Sequence, residues 1–374
     1  MSQDRALILD RRQGALLVMP VPRVAPDDHQ IAVRVHAVAI NPVDRYMQPL
    51  ARFITPWLRY PAVLGSDVAG EIVAIGPKVS RFSVGQHVLG LALGTEKGRD
   101  RAEGAFQDRV ILDEYMVSPI PDDMAFADAA TLPLGLCTAA SGLFQRDYLG
   151  LRHPSGDVEP AGQSVLVWGG ATSVGSQAIQ LAVRAGYDVV TTASPHNHGY
   201  VIALGARAAF DYRSASVVPD LVTALQGRRM AGAMAIGEGS LARCIAVLRR
   251  AEGRRFVAVA TPGLSFDTLL AKGTAWHRLL PFFTRMGLLN ARDALAARRA
   301  GVTTKFIWGS SLKDNEVGQM LFRDYLPRAL AEGRHIAAPP ALVTGHGLEA
   351  IPAALEAQAS VSARKIVVKL GTRT

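Results

Sequence analysis

The sequence predicts an α/β fold in which a parallel, doubly wound sheet follows a small β-barrel. Two observations predict it. Between Ser164 and Asn197 an apolar run, a glycine turn, a helical apolar period and a second apolar run succeed one another. In the first third of the chain, short apolar or alternating runs are separated by turn residues. The first pattern is a strand–helix–strand crossover, which builds parallel sheets. The second is that of a small antiparallel barrel.

Within the crossover, Ser164–Trp168 (SVLVW) suits a buried parallel strand. Gly169 and Gly170 allow a tight turn where backbone approaches a ligand closely. Val174, Ala178, Leu181, Ala182 and Ala185 then recur at helical spacing, Gly186 ends the helix, and Tyr187–Thr192 reads as the next strand. A glycine turn at the start of such a helix is where a dinucleotide's pyrophosphate binds, because the first amides and the helix dipole favour an anion. From Gly170 the pattern is G-x-T-x-x-G, with Thr172 at the usual middle glycine and Gly175 kept at the third. Gly170, Ala171, Thr172, Ser173, Val174 and Gly175 are therefore the candidate cofactor-binding turn.

The end of the second strand bears on which dinucleotide. An NAD site places Asp or Glu there for the ribose 2′-hydroxyl. Here the residues are Ser194-Pro195-His196-Asn197, with no acid, and Arg213 follows the next strand. A carboxylate would repel a 2′-phosphate, whereas Ser and Asn donate to it, so NADPH is expected. The competing reading is an ordinary Ser-Pro-x-Asn loop.

Composition narrows the class. The 374 residues suffice for one large or two medium domains. Two cysteines, Cys137 and Cys244, make no disulfide framework and suit a reducing, cytoplasmic setting. The N-terminus, MSQDRALILD, carries no secretory h-region, and no run of about eighteen apolar residues suggests a membrane span. A net charge of +9 suits a phosphorylated cofactor or a phosphate-bearing acyl-thioester, or serves solubility alone. Aromatic residues are not interleaved with basic ones, so no nucleic-acid partner is expected.

In chain order, Gln30–Ala39 alternates as a strand that Asn41-Pro42 ends. Val63–Ile75, Gly85–Leu93 and Gly104–Leu112 read as further barrel strands, and Asp128–Gly142 as an Ala-rich helix. Beyond Asn197, strands are expected at Ala208–Tyr212, Ala233–Ile236, Phe256–Ala260 and Lys305–Gly309, with a helix near Leu241–Arg250. Leu264–Gly301 breaks the rhythm and reads as a helical insertion rich in arginine. Asp314–Gly333 reads as a helix and Lys365–Leu370 as the closing strand.

Together INPVD (Ile40–Asp44), YPAVLGSDVAG (Tyr60–Gly70), RFSVGQHV (Arg81–Val88), GAFQ (Gly104–Gln107), AATLPLG (Ala129–Gly135), the dinucleotide unit, LGARAAFDY (Leu204–Tyr212), the segment Thr304–Val317 and Gly347–Leu370 carry a resemblance. The chain resembles the medium-chain dehydrogenase/reductase superfamily, and within it the zinc-independent quinone oxidoreductases, enoyl reductases and trans-acting enoyl reductases of polyketide pathways. The resemblance implies a GroES-like β-barrel catalytic domain over residues 1–133, completed by 313–374, and a doubly wound Rossmann NADPH-binding domain over 134–312 with a helical insertion near 264–301. It implies an active-site cleft at the carboxyl ends of the parallel strands. In that site Asn41 and Tyr46 would face the nicotinamide and its ribose, and Thr138 would lie near the carboxamide. Ser194, Asn197 and Tyr212 would hold the 2′-phosphate and adenine. Where zinc relatives have Cys and a His-Glu pair, this chain has Ala39–Val43 and Gly65-Ser66-Asp67, so no metal is expected. The polyketide enzymes commonly carry Lys at position 46; Tyr46 departs from them toward the quinone oxidoreductases. The resemblance also implies a homodimer through the strand at Lys305–Gly309.

The chemistry implied is conjugate reduction of an enone, enal or quinone, with Tyr46 as a donor to the developing oxyanion. Two other readings stay open. One is a trans-acting enoyl reductase on a carrier-protein or CoA thioester, with an acyl carrier protein as partner. The other is a non-catalytic NADPH-binding protein.

Overall fold

A computed structural model describes residues 3–155, 158–272 and 276–370. Residues 273–275 of the predicted insertion, and the side chain of Trp276, lie outside the described set. The chain divides into two compact units, one of Met1–Leu134 with Lys313–Thr374 and the other of Gly135–Leu312.

The first unit opens with an antiparallel pair, β1 (Asp4–Leu9) and β2 (Leu16–Val21), which the sequence reading missed. β3 (Gln30–Ala39) spans the predicted residues. Asn41-Pro42 does more than end it: these residues start helix α1 (Pro42–Ile54), with Asn41 as N-cap and proline at the first position, where its missing N–H is harmless. The predicted strand Val63–Ile75 is two, β4 (Ala62–Val63) and β5 (Asp67–Ile75). They are broken at Gly65, whose φ of +88° and contact with the Phe106 ring exclude a side chain. β6 (His87–Leu91), β7 (Arg109–Asp113) and β8 (Val117–Pro119) follow. The predicted Ala-rich helix is also divided, into α2 (Phe126–Ala129) and, with Pro133 as its first residue, α3 (Pro133–Phe144).

The second unit is the doubly wound sheet. Its strands are β9 (Gln163–Trp168), β10 (Asp188–Ala193), β11 (Ala208–Asp211), β12 (Arg229–Ala235), β13 (Phe256–Val259) and β14 (Thr303–Phe306). They are all parallel, in the order β11-β10-β9-β12-β13-β14. The connecting helices are α4 (Ser173–Arg184), α5 (His198–Ala203), α6 (Val217–Ala224), α7 (Ser240–Leu248), α8 (Asp267–Lys272) and α9 (Trp276–Ala300). The last strand starts two residues and ends three residues earlier than predicted, and a 3₁₀ helix begins at Gly309.

The chain then returns to the first unit. The predicted helix Asp314–Gly333 is a composite of α10 (Glu316–Gln319), a π-helical turn (Met320–Tyr325) and α11 (Leu326–Ala331). β15 (Ala341–His346), α12 (Ile351–Ala357) and β16 (Lys365–Lys369) complete it. β16 pairs antiparallel with the end of β3, giving the order β15-β16-β3-β5-β6-β8, while β7 pairs with the start of β3. Ile31, Val35, Ile72, Val88, Phe106 and Ile366 are central to the buried core.

Candidate functional site

The nucleotide turn sits at the carboxyl end of β9, the third strand in the order and next to the switch in winding. Gly169 has φ of +90°, and its N–H donates to Thr192 Oγ1 at 3.1 Å. Thr172 caps α4: its Oγ1 accepts from Gly175 N at 3.0 Å and donates to Gly169 O at 2.8 Å. Thr172 thus replaces the usual middle glycine with a residue that braces the turn. The two retained glycines are needed for closeness. A Cβ on Gly170 would fall 2.2 Å from Thr191 Oγ1, and one on Gly175 2.2 Å from Gly169 O.

Ser173 carries the sign of a ligand. Its Oγ is buried and lacks a hydrogen-bond partner among the described residues. An orphaned hydroxyl costs about 1–3 kcal/mol, and a phosphate oxygen at the first turn of α4 would satisfy it. The amides of Ser173 and Val174, ahead of the Gly175 N–H that Thr172 caps, have no intrahelical acceptor either. These residues fit a dinucleotide's pyrophosphate. Gly135 of α3 packs against the same spot, where a Cβ would fall 2.5 Å from Ser173 Oγ. Thr138, one helical turn along, is buried.

At the tip of β10, Ser194 and Asn197 are buried and His196 is exposed. Arg213 Nη1 donates to Ser194 Oγ at 3.3 Å, and its guanidinium lies 4.7 Å from the centroid of the Tyr212 ring. A guanidinium, a hydroxyl and an aromatic face therefore meet there. Behind the turn, Ser176 hydrogen-bonds Gly170 O and Tyr200, whose burial raises its phenol to about 12.

The first unit holds a second polar group of residues, which sequence reasoning only partly found. Asn41, Asp44, Asp67 and Lys365 are each at most 4 % exposed. Lys365 Nζ lies 2.9 Å from Asp67 Oδ2 and donates to Asn41 Oδ1. Asn41 Nδ2 donates to Asp67 Oδ2 at 2.9 Å, and Asn41 N to Asp44 Oδ2 at 2.8 Å. Asp67 Oδ1 accepts from Leu134 N at 2.6 Å. Burial raises the Asp44 carboxyl to about 7; Asp67 raises it further, and Asn41 and Lys365 hold it down. The amide of Asn41 is thus engaged on both sides, and its place is that of a brace at the start of α1. Tyr46, on the next turn, is half-buried, with the Arg45 guanidinium 5.7 Å from its ring centroid. Lys365 was invisible in the sequence, since a lysine opening a strand ordinarily reads as exposed.

The segments Ala39–Val43 and Gly65–Asp67 contribute Asn41 and Asp67 to this group. Among the described residues no cluster of three or more His, Cys, Asp or Glu forms a metal centre. His87 instead packs edge-on to Phe126 at 4.8 Å, with its Nδ1 3.8 Å from Asp122.

Comparisons with known proteins bear on the family and the fold. Residues 27–122 match the alcohol dehydrogenase GroES-like domain. The chain is 45 % identical to the dehydrogenase pigH of Monascus ruber, over 99 % of this chain and 100 % of that one. It is 33 % identical to the trans-enoyl reductase himH of Aspergillus japonicus, over 96 % and 95 % of the two chains. Its fold matches the quinone oxidoreductase of Coxiella burnetii with a TM-score of 0.66 and 21 % identity, over 99 % of this chain and all of that one.

Proposed function

The chain belongs to the medium-chain dehydrogenase/reductase superfamily, whose members bind a nicotinamide cofactor, and from that premise we propose an NADPH-dependent reductase. It delivers hydride to the conjugated C=C of an enone, enal or quinone without a metal ion. The observation that carries the reading is the group of Arg213, Ser194 and Tyr212 at the tip of β10. Its positive charge and hydroxyl suit a 2′-phosphate, and the ring suits adenine.

When bound, the reduced nicotinamide supplies a hydride to the β-carbon of the substrate. Negative charge then develops on the carbonyl oxygen, which a hydrogen-bond donor must stabilise. Tyr46 is assigned that role, Asn41 the role of holding the helix that carries it, and Thr138 that of a cofactor contact. A proton from Tyr46 or solvent completes the α-carbon. Assays of NADPH oxidation over a panel of enones, quinones and enoyl thioesters test the proposal; failure across the whole panel would refute it.

Cofactor choice is a sharper test. Wild type should bind NADPH at least about tenfold more tightly than NADH, the value of one charge-assisted hydrogen bond. Ser194→Asp should flatten or invert that preference, because its carboxylate repels the phosphate and pairs with Arg213. Calorimetry showing tighter NADH binding to wild type would sink the assignment.

Absence of a metal is also proposed. Lys365 occupies the Asp67 carboxylate, for which a metal ion would have to compete. Purified protein should carry no stoichiometric zinc, and chelators should leave turnover unchanged. One zinc per chain by elemental analysis would refute this.

A homodimer belongs to the same proposal. β14 pairs only with β13 among the described strands, and Phe306 on it is 48 % exposed. Pairing with a two-fold mate would cover that edge. Light scattering at micromolar concentration should give twice the chain mass of 39.9 kDa; a single chain's mass would count against it.

A second reading, reduction of an enoyl thioester borne on a carrier protein or CoA, is favoured by the relatives named trans-enoyl reductases, himH and the tndF protein of Aspergillus flavipes.

A further inference from the structure

Helix α9 presents a face that the rest of the described chain leaves bare. Its inner side is accounted for. Asp293, Ala297 and Ala300 are buried, and Phe282 packs 5.5 Å from the Phe266 ring. The outer side is not. Leu280, Leu288 and Leu295 are 66 %, 69 % and 48 % exposed. At 100° per residue they fall within an arc of about 80°. Thr284 and Ala291 sit between them, so the ridge runs for about 22 Å. Along one flank arginines stand at strict seven-residue spacing, Arg278, Arg285, Arg292 and Arg299, all exposed, with Arg292 paired to Asp293 at 2.9 Å; exposed Arg298 adds a further positive charge at the edge of the leucine arc. A leucine ridge with small residues between and charges on one flank is the pattern of a helix that packs on another helix.

We propose that α9 is the docking face for an acidic amphipathic helix of a separate protein. Charge selects that occupant. A second copy packed antiparallel would set arginine row against arginine row. Packed parallel, it would set the row against Gly287 and Ala294 and leave it unpaired. A membrane surface would favour a broader aromatic face, yet Phe282 and Phe283 are half-buried on the inner side. An acidic helix instead lays carboxylates along the arginines while its own apolar residues meet the leucines. The inference deepens the second functional reading and rests on it: the acidic helix is that of the carrier presenting the enoyl chain.

The experiment uses the full-length protein with two surface variants, Leu288→Glu and Arg285→Glu/Arg292→Glu. The probe is a fluorescently labelled holo acyl carrier protein, and binding is read by anisotropy at several salt concentrations. In parallel, kcat/KM is measured on one enoyl chain carried either by that protein or by free pantetheine. Both variants should weaken carrier binding at least tenfold, and wild-type binding should fall with salt. kcat/KM on the pantetheine thioester should not change. Carrier binding that is equal in wild type and variants, or absent in wild type, overturns the proposal. So does cosedimentation of wild type with 3:1 phosphatidylcholine–phosphatidylserine vesicles in place of carrier binding. If the carrier binds at α9 but its thioester is reduced no faster than the free one, the docking face stands and the carrier-substrate reading falls.

Discussion

Replacing Lys365 with methionine should destabilise the protein by about 3–5 kcal/mol, the cost of stranding one member of a buried ion pair. For a unit of this size that corresponds to a fall in melting temperature of roughly 10 °C. The reason lies in what Lys365 holds. Its ammonium neutralises Asp67, donates to Asn41, and so ties β16 to the start of α1. Asp67→Asn combined with Lys365→Met should recover most of the loss. The amide oxygen still accepts from Leu134 N, and neither charge of the Lys365–Asp67 pair is left without the other. A double variant no better than the single would show that packing, not charge, is at stake.

The same group fixes a pH dependence. Asp44 titrates near 7 when folded against 3.8 ordinarily, so the folded state binds the extra proton between those values. Stability from this group is therefore greatest below about pH 4, declines as pH rises toward 7, and is constant above. Removing Lys365, which holds the Asp44 pKa down, should extend that decline to higher pH. Thermal melts of wild type and variant from pH 5 to 9 would read the change, and parallel curves would refute it.

How far the fold was legible depends on where its signals are local. β3 was read at its true ends, and β9, α4 and β10 within a residue, because buried parallel strands and a glycine turn leave strong local patterns. β15 was missed because Leu342 and Val343 are both substantially exposed, so no alternation marks it. α1 was missed although its signal was present: Asn41, Pro42 and Asp44 are a cap, a first-turn proline and an N3 acid. Read locally, after the alternating run of β3, they do no more than end a strand.

The candidate site divides the same way. The turn from Gly170 to Gly175 and the acid-free tip at Ser194 were readable because one crossover unit contains both. The buried group was not. Lys365 and Asn41 are 324 positions apart, and only the pairing of β16 with β3 brings them together. Asp67 was seen as the place of a missing metal ligand, without the lysine that now neutralises it. A residue's type predicts its burial only when its partner can be named, and here the partner comes from the far end of the chain.

Replacing Tyr46 with phenylalanine should lower turnover by about a hundredfold while leaving NADPH binding nearly intact, if its hydroxyl donates to the substrate oxygen. The support is positional. Tyr46 is on the second turn of α1, whose start Asn41, Asp44 and Lys365 hold by buried hydrogen bonds. A donor on so braced a helix loses little freedom when it meets an oxyanion, which is the condition for a large effect. If solvent or a ribose hydroxyl serves instead, the loss should stay under about tenfold, or less than about 1.4 kcal/mol in the barrier. Single-turnover rates on a substrate that wild type reduces separate the two cases, because they isolate hydride transfer from release. An unaltered rate in Tyr46→Phe would remove the hydroxyl from the mechanism. An equal loss in kcat and kcat/KM would place the hydroxyl in the transition state alone.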